Sequence, residues 1–284
     1  MKIAIDITNK CDLNCPYCYA MKNYKNKWNT QDLTLINFSK IINLINSKNK
    51  ISILGGEPFL HPNIKSFIEL LNKKKFNEVF ILTNFLQNNI IYENILKNTN
   101  IKLRISFHWD LIKDKKSFFK KIKKLNIQSI IHIMITKNSL KELNLFKDEI
   151  LKLNQTIYCD FIIDNKSWLN EYNGFYDIYK SNILDKELKD KFISAINLDI
   201  LPQYKIIDID NNFTKKIFCV QDLININIYG DCEILCKDEN FNCFKEPLKL
   251  KKISSSVEKL SRCTKEFCVC LDALESKKRI INEN

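Results

Sequence analysis

Three cysteines near the N-terminus, Cys11, Cys15 and Cys18, share one short stretch of chain. They follow an apolar alternating run, Ile3 to Ile7, which predicts a strand that ends where the cysteine loop begins. Thiolates are the soft ligands that iron-sulfur clusters and zinc select. Three thiolates would leave one iron of a four-iron cluster open to another ligand, whereas a closed zinc site needs a fourth protein ligand. No His or Cys follows at a short interval, which argues against zinc.

A second motif, Gly55-Gly56-Glu57-Pro58, follows the next apolar run, Ile51 to Leu54. The C-x3-C-x2-C spacing, with Tyr17 before the last cysteine, and this glycine motif in this order resemble the radical S-adenosylmethionine (radical SAM) enzymes. The resemblance implies that Cys11, Cys15 and Cys18 hold a 4Fe-4S cluster whose open iron is chelated by S-adenosylmethionine. Reductive cleavage of that cofactor would give a 5'-deoxyadenosyl radical that removes a hydrogen atom from substrate.

The glycine motif has its own predicted role. Gly55 and Gly56 would let the backbone approach a ligand closely, because neither carries a Cβ. In proteins similar to this one the turn contacts the methionyl amino group, which implies Glu57 and the neighbouring carbonyls as cofactor contacts.

Apolar strands alternate with amphipathic helices up to about residue 165, which is typical of parallel α/β folds. Six strands are predicted, and the count agrees with the incomplete (β/α)6 barrel that the resemblance implies. The fold class predicted is therefore α/β: a partial (β/α)6 TIM-like barrel followed by a small C-terminal cluster domain that contains a β-hairpin. The predicted strands begin near Ile3, Ile51, Glu78, Ile101, Ile127 and Thr156.

Polar residues end several of these strands, and in barrels of this type the chemistry gathers at that rim. Asn84, Ser106 and Thr136 are predicted there by position, as contacts for adenine or ribose together with Tyr17. His108 also ends a strand; it is interpreted as a cofactor or substrate contact, a base, or an ordinary hydrogen-bonded histidine.

The C-terminal region carries a second group of cysteines. A predicted hairpin with its turn at Gly230-Asp231 would bring together Cys219, which precedes it, and Cys236, at its far end. This arrangement resembles the twitch and SPASM auxiliary-cluster domains and implies a second 4Fe-4S cluster, although the longer SPASM cysteine run is absent. Zinc is the alternative, and the choice of four ligands stays open among Cys219, Cys236, Cys263, Cys268 and Cys270.

The surplus cysteines Cys159, Cys232 and Cys243 have two interpretations. Buried cysteine usually behaves as a small apolar side chain. Some radical peptide epimerases, however, use a free cysteine to return a hydrogen atom to substrate, and Cys159 or Cys232 would serve if it faced the cavity.

The predicted organisation has three parts: a radical SAM core over residues 1–165, a connecting segment over 166–212 and an auxiliary-cluster domain over 213–284. Aromatic residues in the connecting segment would line a substrate pocket or pack a connecting helix.

Composition narrows the protein class. The eleven cysteines cluster at two places, which favours metal ligation over a secreted disulfide framework. The formal net charge is +12, but the lysines are spread over helix faces, which argues against a nucleic-acid partner. No apolar run approaches a membrane span and no export segment is recognised, so we expect a cytoplasmic protein without membrane contact.

Modification of a ribosomally made peptide, by cross-linking, oxidation or epimerisation, is the preferred function, with flavodoxin or ferredoxin as the expected reductant. No peptide-recognition domain is expected ahead of Cys11. The alternatives are a radical SAM dehydrogenase or epimerase of a sugar- or cyclitol-type metabolite, and a non-catalytic cluster- or zinc-binding protein.

Overall fold

A computed structural model describes most of the chain's first half and parts of the second. The ranges described are 1–18, 31–136, 139–161, 183–193, 217–220, 223–234, 239–255, 260–262 and 278–280. The predicted ligands Cys236, Cys263, Cys268 and Cys270 lie outside them, as does the aromatic part of the predicted connecting segment.

Twelve strands are found in the described part of the chain. They are β1 (Lys2–Asp6), β2 (Lys50–Leu54), β3 (Glu78–Thr83), β4 (Lys102–His108), β5 (Ser129–Ile135), β6 (Thr156–Phe161), β7 (Ile217–Val220), β8 (Leu223–Ile226), β9 (Asp231–Ile234), β10 (Glu239–Asn242), β11 (Leu260–Arg262) and β12 (Lys278–Ile280).

Seven α-helices accompany these strands within the same ranges. They are α1 (Leu35–Leu44), α2 (Ile64–Lys74), α3 (Asn89–Leu96), α4 (Lys115–Lys123), α5 (Lys147–Leu151), α6 (Lys186–Ile193) and α7 (Pro247–Ser254), with 3-10 turns at Pro58–Leu60 and Ser139–Phe146. Polar caps fix several starts: the side chains of Thr34, Asn88 and Asp114 accept hydrogen bonds from backbone N–H groups of α1, α3 and α4. None of the helices in these ranges is long and apolar enough to cross a bilayer.

Nine strands form one open sheet in the order β10-β9-β8-β1-β2-β3-β4-β5-β6. The six strands from β1 to β6 are parallel to their neighbours and follow chain order. This confirms the predicted partial α/β barrel, with a sheet that does not close. Strands β11, β7 and β12 form a separate three-stranded sheet.

The predicted C-terminal hairpin forms, since β8 and β9 pair antiparallel. Its first strand also pairs in parallel with β1, so that Ala4 lies beside Asn225. Strands β8, β9 and β10 therefore extend the core sheet on the β1 side. The predicted domain boundaries at 165 and 212 stay a prediction.

The two faces of the sheet differ because side chains alternate along each strand. On β4, the odd-numbered Leu103, Ile105 and Phe107 are buried in the core, and Phe107 stacks on Phe118 of α4. The even-numbered Lys102, Arg104, Ser106 and His108 therefore lie on the opposite, inner face, away from the helices. This inner face is where the predicted rim residues of β4 project.

The spacing of apolar residues predicts one helix from about Gln31 to Ser47 and another from about Ser139 to Leu153, and the structure differs from both predictions at the helix start. The helix expected from about Gln31 begins at Leu35, because Asp32 bridges to Thr8 and Leu33 donates its N–H to Ile7 O, which keeps this stretch extended. The helix expected from Ser139 to Leu153 begins as 3-10 and becomes α-helical only at Lys147.

Candidate active site

The cysteine loop and the Gly-Gly-Glu turn are joined through their backbones. Gly56 N donates to Thr8 O at 2.8 Å and Glu57 N donates to Lys10 O at 2.7 Å. A Cβ at Gly55 would collide with the backbone of Thr8, and one at Gly56 with the backbone of Lys10. The glycines are therefore needed because two chain segments touch there, just ahead of the first cysteine. The sequence had predicted only that they let a ligand approach the backbone.

The Glu57 carboxylate is completely buried and accepts three hydrogen bonds from the protein. Its donors are Phe59 N at 3.1 Å, the Thr83 hydroxyl at 2.9 Å and Asn84 N at 2.7 Å. Burial raises its pKa to about 7, although the hydrogen bonds oppose that rise. Glu57 thus ties the turn after β2 to the end of β3, and its predicted cofactor contact stays a prediction.

Asn84 connects the end of β3 to the cysteine loop. Its Nδ2 donates to Asp12 Oδ1 at 2.6 Å, and Gln87 Nε2 donates to Asp12 Oδ2 at 3.0 Å. Asp12 and Gln87 were not predicted. The position of Asp12 between the first two cysteines was the one signal in the sequence, and nothing local marked Gln87.

The three predicted cluster thiols lie together on their loop. Cys15 is buried, with 7% of its surface exposed, and Cys18 N donates to Cys15 O at 3.1 Å. Burial, together with the smaller effects of the neighbouring thiols Cys18 and Cys11, raises the pKa of Cys15 to about 12. Burial also raises the pKa of Cys11. Three adjacent thiolates would repel one another unless a cation held them, which is the situation that metal ligation creates.

This donor set fits a four-iron cluster. All three side chains are thiols, the ligand type of 4Fe-4S clusters, and each would bind a different iron. In the part of the chain that the structure describes, no three Cys, His, Asp or Glu side chains are close enough to share a single metal ion. If a cluster is bound here, Cys11, Cys15 and Cys18 are the residues that would hold it.

His108 and Tyr17 meet beside Cys15. The Tyr17 hydroxyl lies 3.0 Å from His108 Nδ1, and the Cys15 sulfur lies 3.7 Å from the same nitrogen. Burial lowers the pKa of His108 to about 4, so its ring is neutral at pH 7. Two residues predicted at the rim from different parts of the sequence are thus brought together against a predicted cluster ligand.

Ser106 and Thr136 lie farther along the same rim. Ser106 is on the inner face of β4, in register with His132 of β5. Thr136 follows β5, and its hydroxyl lies 3.0 Å from that of Ser139 in a local turn. Their predicted contact with adenine or ribose stays a prediction.

The remaining predicted cysteines are not part of this group. Cys232 is in register with Ile226 on the helix-covered side of the sheet, buried beside Cys243, whose thiol it contacts. Cys159 lies in β6 and Cys219 in β7, where the backbone alone is described. The hydrogen-donor role predicted for Cys159 or Cys232 stays a prediction.

Comparison with known proteins assigns the family. The sequence model of the radical SAM superfamily matches residues 5–147, the stretch that contains both motifs and the strands that position them. The chain belongs to the radical SAM superfamily. Superfamily membership supports an enzyme that binds an iron-sulfur cluster and S-adenosylmethionine.

Two curated relatives cover much of this radical SAM chain. An uncharacterized protein of Methanocaldococcus jannaschii is 26% identical over 89% of the chain and 92% of its own length. The GTP 3',8-cyclase of Clostridium perfringens is also 26% identical, over 66% of the chain and 62% of its own length.

Solved structures share the fold. SuiB of Streptococcus suis, bound to S-adenosylmethionine, superposes with a TM-score of 0.57 at 14% identity, covering 90% of this chain and 65% of SuiB. The protein anSMEcpe, bound to AdoMet and the Cp18Cys peptide, gives 0.55 at 15% identity, covering 82% of this chain and 73% of its own. The chain thus spans less than two thirds of SuiB and of the cyclase.

Proposed function

We propose that this protein cleaves S-adenosylmethionine reductively and removes a hydrogen atom from a ribosomally made peptide, which it cross-links, oxidises or epimerises. The observation that carries the catalytic part is the backbone junction between the cysteine loop and the Gly-Gly-Glu turn, at Gly56–Thr8 and Glu57–Lys10. Cys11, Cys15 and Cys18 would hold a 4Fe-4S cluster at this junction. When bound, that cluster supplies one electron for homolytic cleavage of the cofactor's sulfonium bond.

The chain's own residues would shape the site around that chemistry. Glu57 fixes the turn against β3, so that the turn's remaining backbone groups face the cofactor in one conformation. Tyr17 and the neutral His108 cover one side of the thiol loop and keep water from Cys15. Asp12 anchors the other side through Asn84.

Two relationships support the peptide substrate. SuiB has also been solved with its precursor peptide SuiA, at a TM-score of 0.54 with this chain, and anSMEcpe with a peptide. A small metabolite is the second candidate, because relatives by sequence include GTP 3',8-cyclases and a 7-carboxy-7-deazaguanine synthase.

An auxiliary 4Fe-4S cluster belongs to the same proposal. Its ligands would come from Cys219, Cys236, Cys263, Cys268 and Cys270. In the three-stranded sheet Cys219 pairs with Ser261, and β11 ends one residue before Cys263. The short chain distance from Ser261 to Cys263 favours Cys219 and Cys263 as partners.

Anaerobic reconstitution tests the cofactor assignment. We expect 5'-deoxyadenosine from the dithionite-reduced wild type, and from protein reduced by flavodoxin or ferredoxin, and none from Cys15→Ser. Cys243→Ser is the matched control, because Cys243 is a buried thiol that contacts Cys232, and it should keep the activity. Reduced wild type that binds iron but leaves S-adenosylmethionine intact would instead favour a non-catalytic cluster protein.

Iron content tests the second cluster. The triple variant Cys11→Ala/Cys15→Ala/Cys18→Ala should retain about four irons per chain if the C-terminal cysteines hold one cluster. Deuterium transfer from a labelled peptide into 5'-deoxyadenosine would identify the substrate class, and transfer from a labelled metabolite would overturn the peptide assignment.

A further inference from the structure

Arg104 lies on the inner face of the sheet, and its side chain forms no hydrogen bond with the described residues. Arg104 lies on β4, and its Nε is buried without a hydrogen-bond partner. The guanidinium lies 4.3 Å from the centre of the Phe80 ring, which belongs to the neighbouring strand β3. Buried donors are nearly always paired, so this unpaired one is available to an acceptor that the described residues do not supply.

A neighbouring cation on the same face shows the contrast. Lys102, two residues earlier on β4, also lies over Phe80, at 5.6 Å. Its ammonium is paired with Glu78 at 2.8 Å, and Glu78 is also paired with Lys50. Lys50 and Lys102, near the starts of their strands, are thus paired within the protein, whereas Arg104, one step nearer the rim, contacts an aromatic ring and has no hydrogen-bond partner among the described residues.

The choice of residue is itself informative. Arg104, Arg262 and Arg279 are the chain's only arginines, against 42 lysines. The sequence therefore uses lysine for nearly every positive charge. Arginine differs from lysine in its planar fork, which binds a carboxylate or phosphate through two parallel hydrogen bonds and stacks on aromatic rings.

We propose that Arg104, which lies over the Phe80 ring, binds an oxyanion of the substrate, a carboxylate or a phosphate, on the inner face of the sheet. This inference rests on the proposed function, because it assumes that the substrate enters from the rim. Phe80 supports the guanidinium from one side, which leaves its donor edges for the ligand. The site is a specificity determinant, since it selects among substrates by charge.

The position of Arg104 suits a substrate that reaches down from the cofactor. Ser106 and His108 follow on the same face of β4. Successive residues on one face of a strand are roughly 6–7 Å apart along it. The guanidinium is therefore below the rim at which His108 meets Tyr17. A substrate whose oxyanion is bound at Arg104 would place at the rim a carbon that is several bonds away from that oxyanion.

Asp6 gives the inner face a second charged group at the same height. Asp6 on β1 is in register with Leu54 on β2, and Arg104 on β4 is in register with Leu82 on β3. Among the described residues the Asp6 carboxylate forms no hydrogen bond or ion pair. A cationic group of the substrate would therefore be drawn to the β1 side and an anionic group to Arg104.

Arginine side-chain NMR tests the proposal on the reconstituted protein with S-adenosylmethionine. With ¹⁵N-arginine labelling, three Nε–H signals are expected, and the Arg104 signal is the one that Arg104→Lys removes. The probes are acetate, succinate and inorganic phosphate, each titrated separately. We expect saturable shifts of the Arg104 signal; saturation by a carboxylate probe or by phosphate alone identifies the oxyanion. A signal that stays unmoved, or moves no more than those of Arg262 and Arg279, overturns the proposal.

Two variants test the aromatic support. Phe80→Leu removes the ring under the guanidinium and should weaken probe binding several-fold while the Arg104 signal persists. Phe241→Leu removes another ring that carries a cation, Lys249 at 4.9 Å, and should leave probe binding unchanged. Equal effects of both variants would contradict a role for Phe80.

The same samples separate this inference from the proposed function. If the wild type forms 5'-deoxyadenosine but its Arg104 signal does not respond to any of the three probes, the oxyanion site alone is overturned. Saturable binding at Arg104 in a protein that never cleaves S-adenosylmethionine upholds the site and overturns the proposed reaction.

Discussion

The Tyr17 hydroxyl lies 3.0 Å from His108 Nδ1, and the two rings stack with their centres 5.8 Å apart and their planes at 27°. This contact joins the loop that follows β1 to the end of β4. Because β2 and β3 lie between those strands in the sheet, the contact fixes the cysteine loop across the rim.

The Tyr17–His108 contact should be measurable as a coupling energy. Tyr17→Phe removes the hydroxyl and keeps the ring, and His108→Phe keeps a ring without its nitrogens. We expect a coupling of about 0.5–1.5 kcal/mol from a double-mutant cycle of denaturant unfolding. Additive effects of the two changes would show that the contact does not stabilise the loop.

Glu57→Gln tests the buried carboxylate as a structural tie. Glutamine has one acceptor oxygen where Glu57 uses two, so its amide NH₂ would face either the Asn84 N–H or the donors Phe59 N and Thr83. We expect a loss of about 1–3 kcal/mol in the free energy of unfolding.

Glu69→Gln is the control for that measurement. Glu69 is exposed on α2 and should change stability by less than about 0.5 kcal/mol. A Glu57→Gln variant as stable as this control would mean that the three hydrogen bonds contribute nothing net.

Gly56→Ala should damage the cysteine loop directly. The new Cβ would collide with the Lys10 backbone, one residue before Cys11, so the loop must shift. We expect a destabilisation of about 2–3 kcal/mol and a lower iron content after reconstitution.

Gly230→Ala separates those two effects. Gly230 lies in the turn of the hairpin that joins the sheet beside β1. Its φ is +81°, and an added Cβ would collide with the Phe244 side chain. This variant should lose comparable stability and keep its cluster at Cys11, Cys15 and Cys18. Equal iron loss in both variants would indicate a general folding defect.

Sequence alone predicted the order and number of the first six strands because each combines a short apolar run with a polar end. The start of α1 was less predictable. Thr34 has the side chain of a helix cap, but the sequence does not show why the helix starts there and not earlier. The reason is the bridge between Thr8 and Asp32, a contact between residues far apart in the chain.

The candidate site divides in the same way. Its cysteines and the Gly-Gly-Glu turn were identified from spacing, and Tyr17 and His108 from position. What spacing could not predict is that Glu57 is turned inward onto Thr83 and Asn84, or that Asp12 anchors the loop through Gln87. Partners set by tertiary contact leave no local pattern.

Asp6→Asn should stabilise the protein in a pH-dependent way. Burial raises the pKa of Asp6 from 3.8 to about 6. An acid with a raised folded-state pKa binds its proton more tightly when folded, so the wild type loses stability as pH rises from about 4 to 6. Asparagine has no charge to bury, and its advantage should therefore grow over that range.

Thermal or urea unfolding at two pH values checks this prediction. We expect the stability gain of Asp6→Asn to be about 1 kcal/mol larger at pH 7.5 than at pH 5. Asp190→Asn is the control, since Asp190 is exposed on α6, and it should change stability by less than about 0.5 kcal/mol. A gain for Asp6→Asn that is independent of pH would mean that the Asp6 carboxylate stays solvated in the folded protein, which would contradict this prediction.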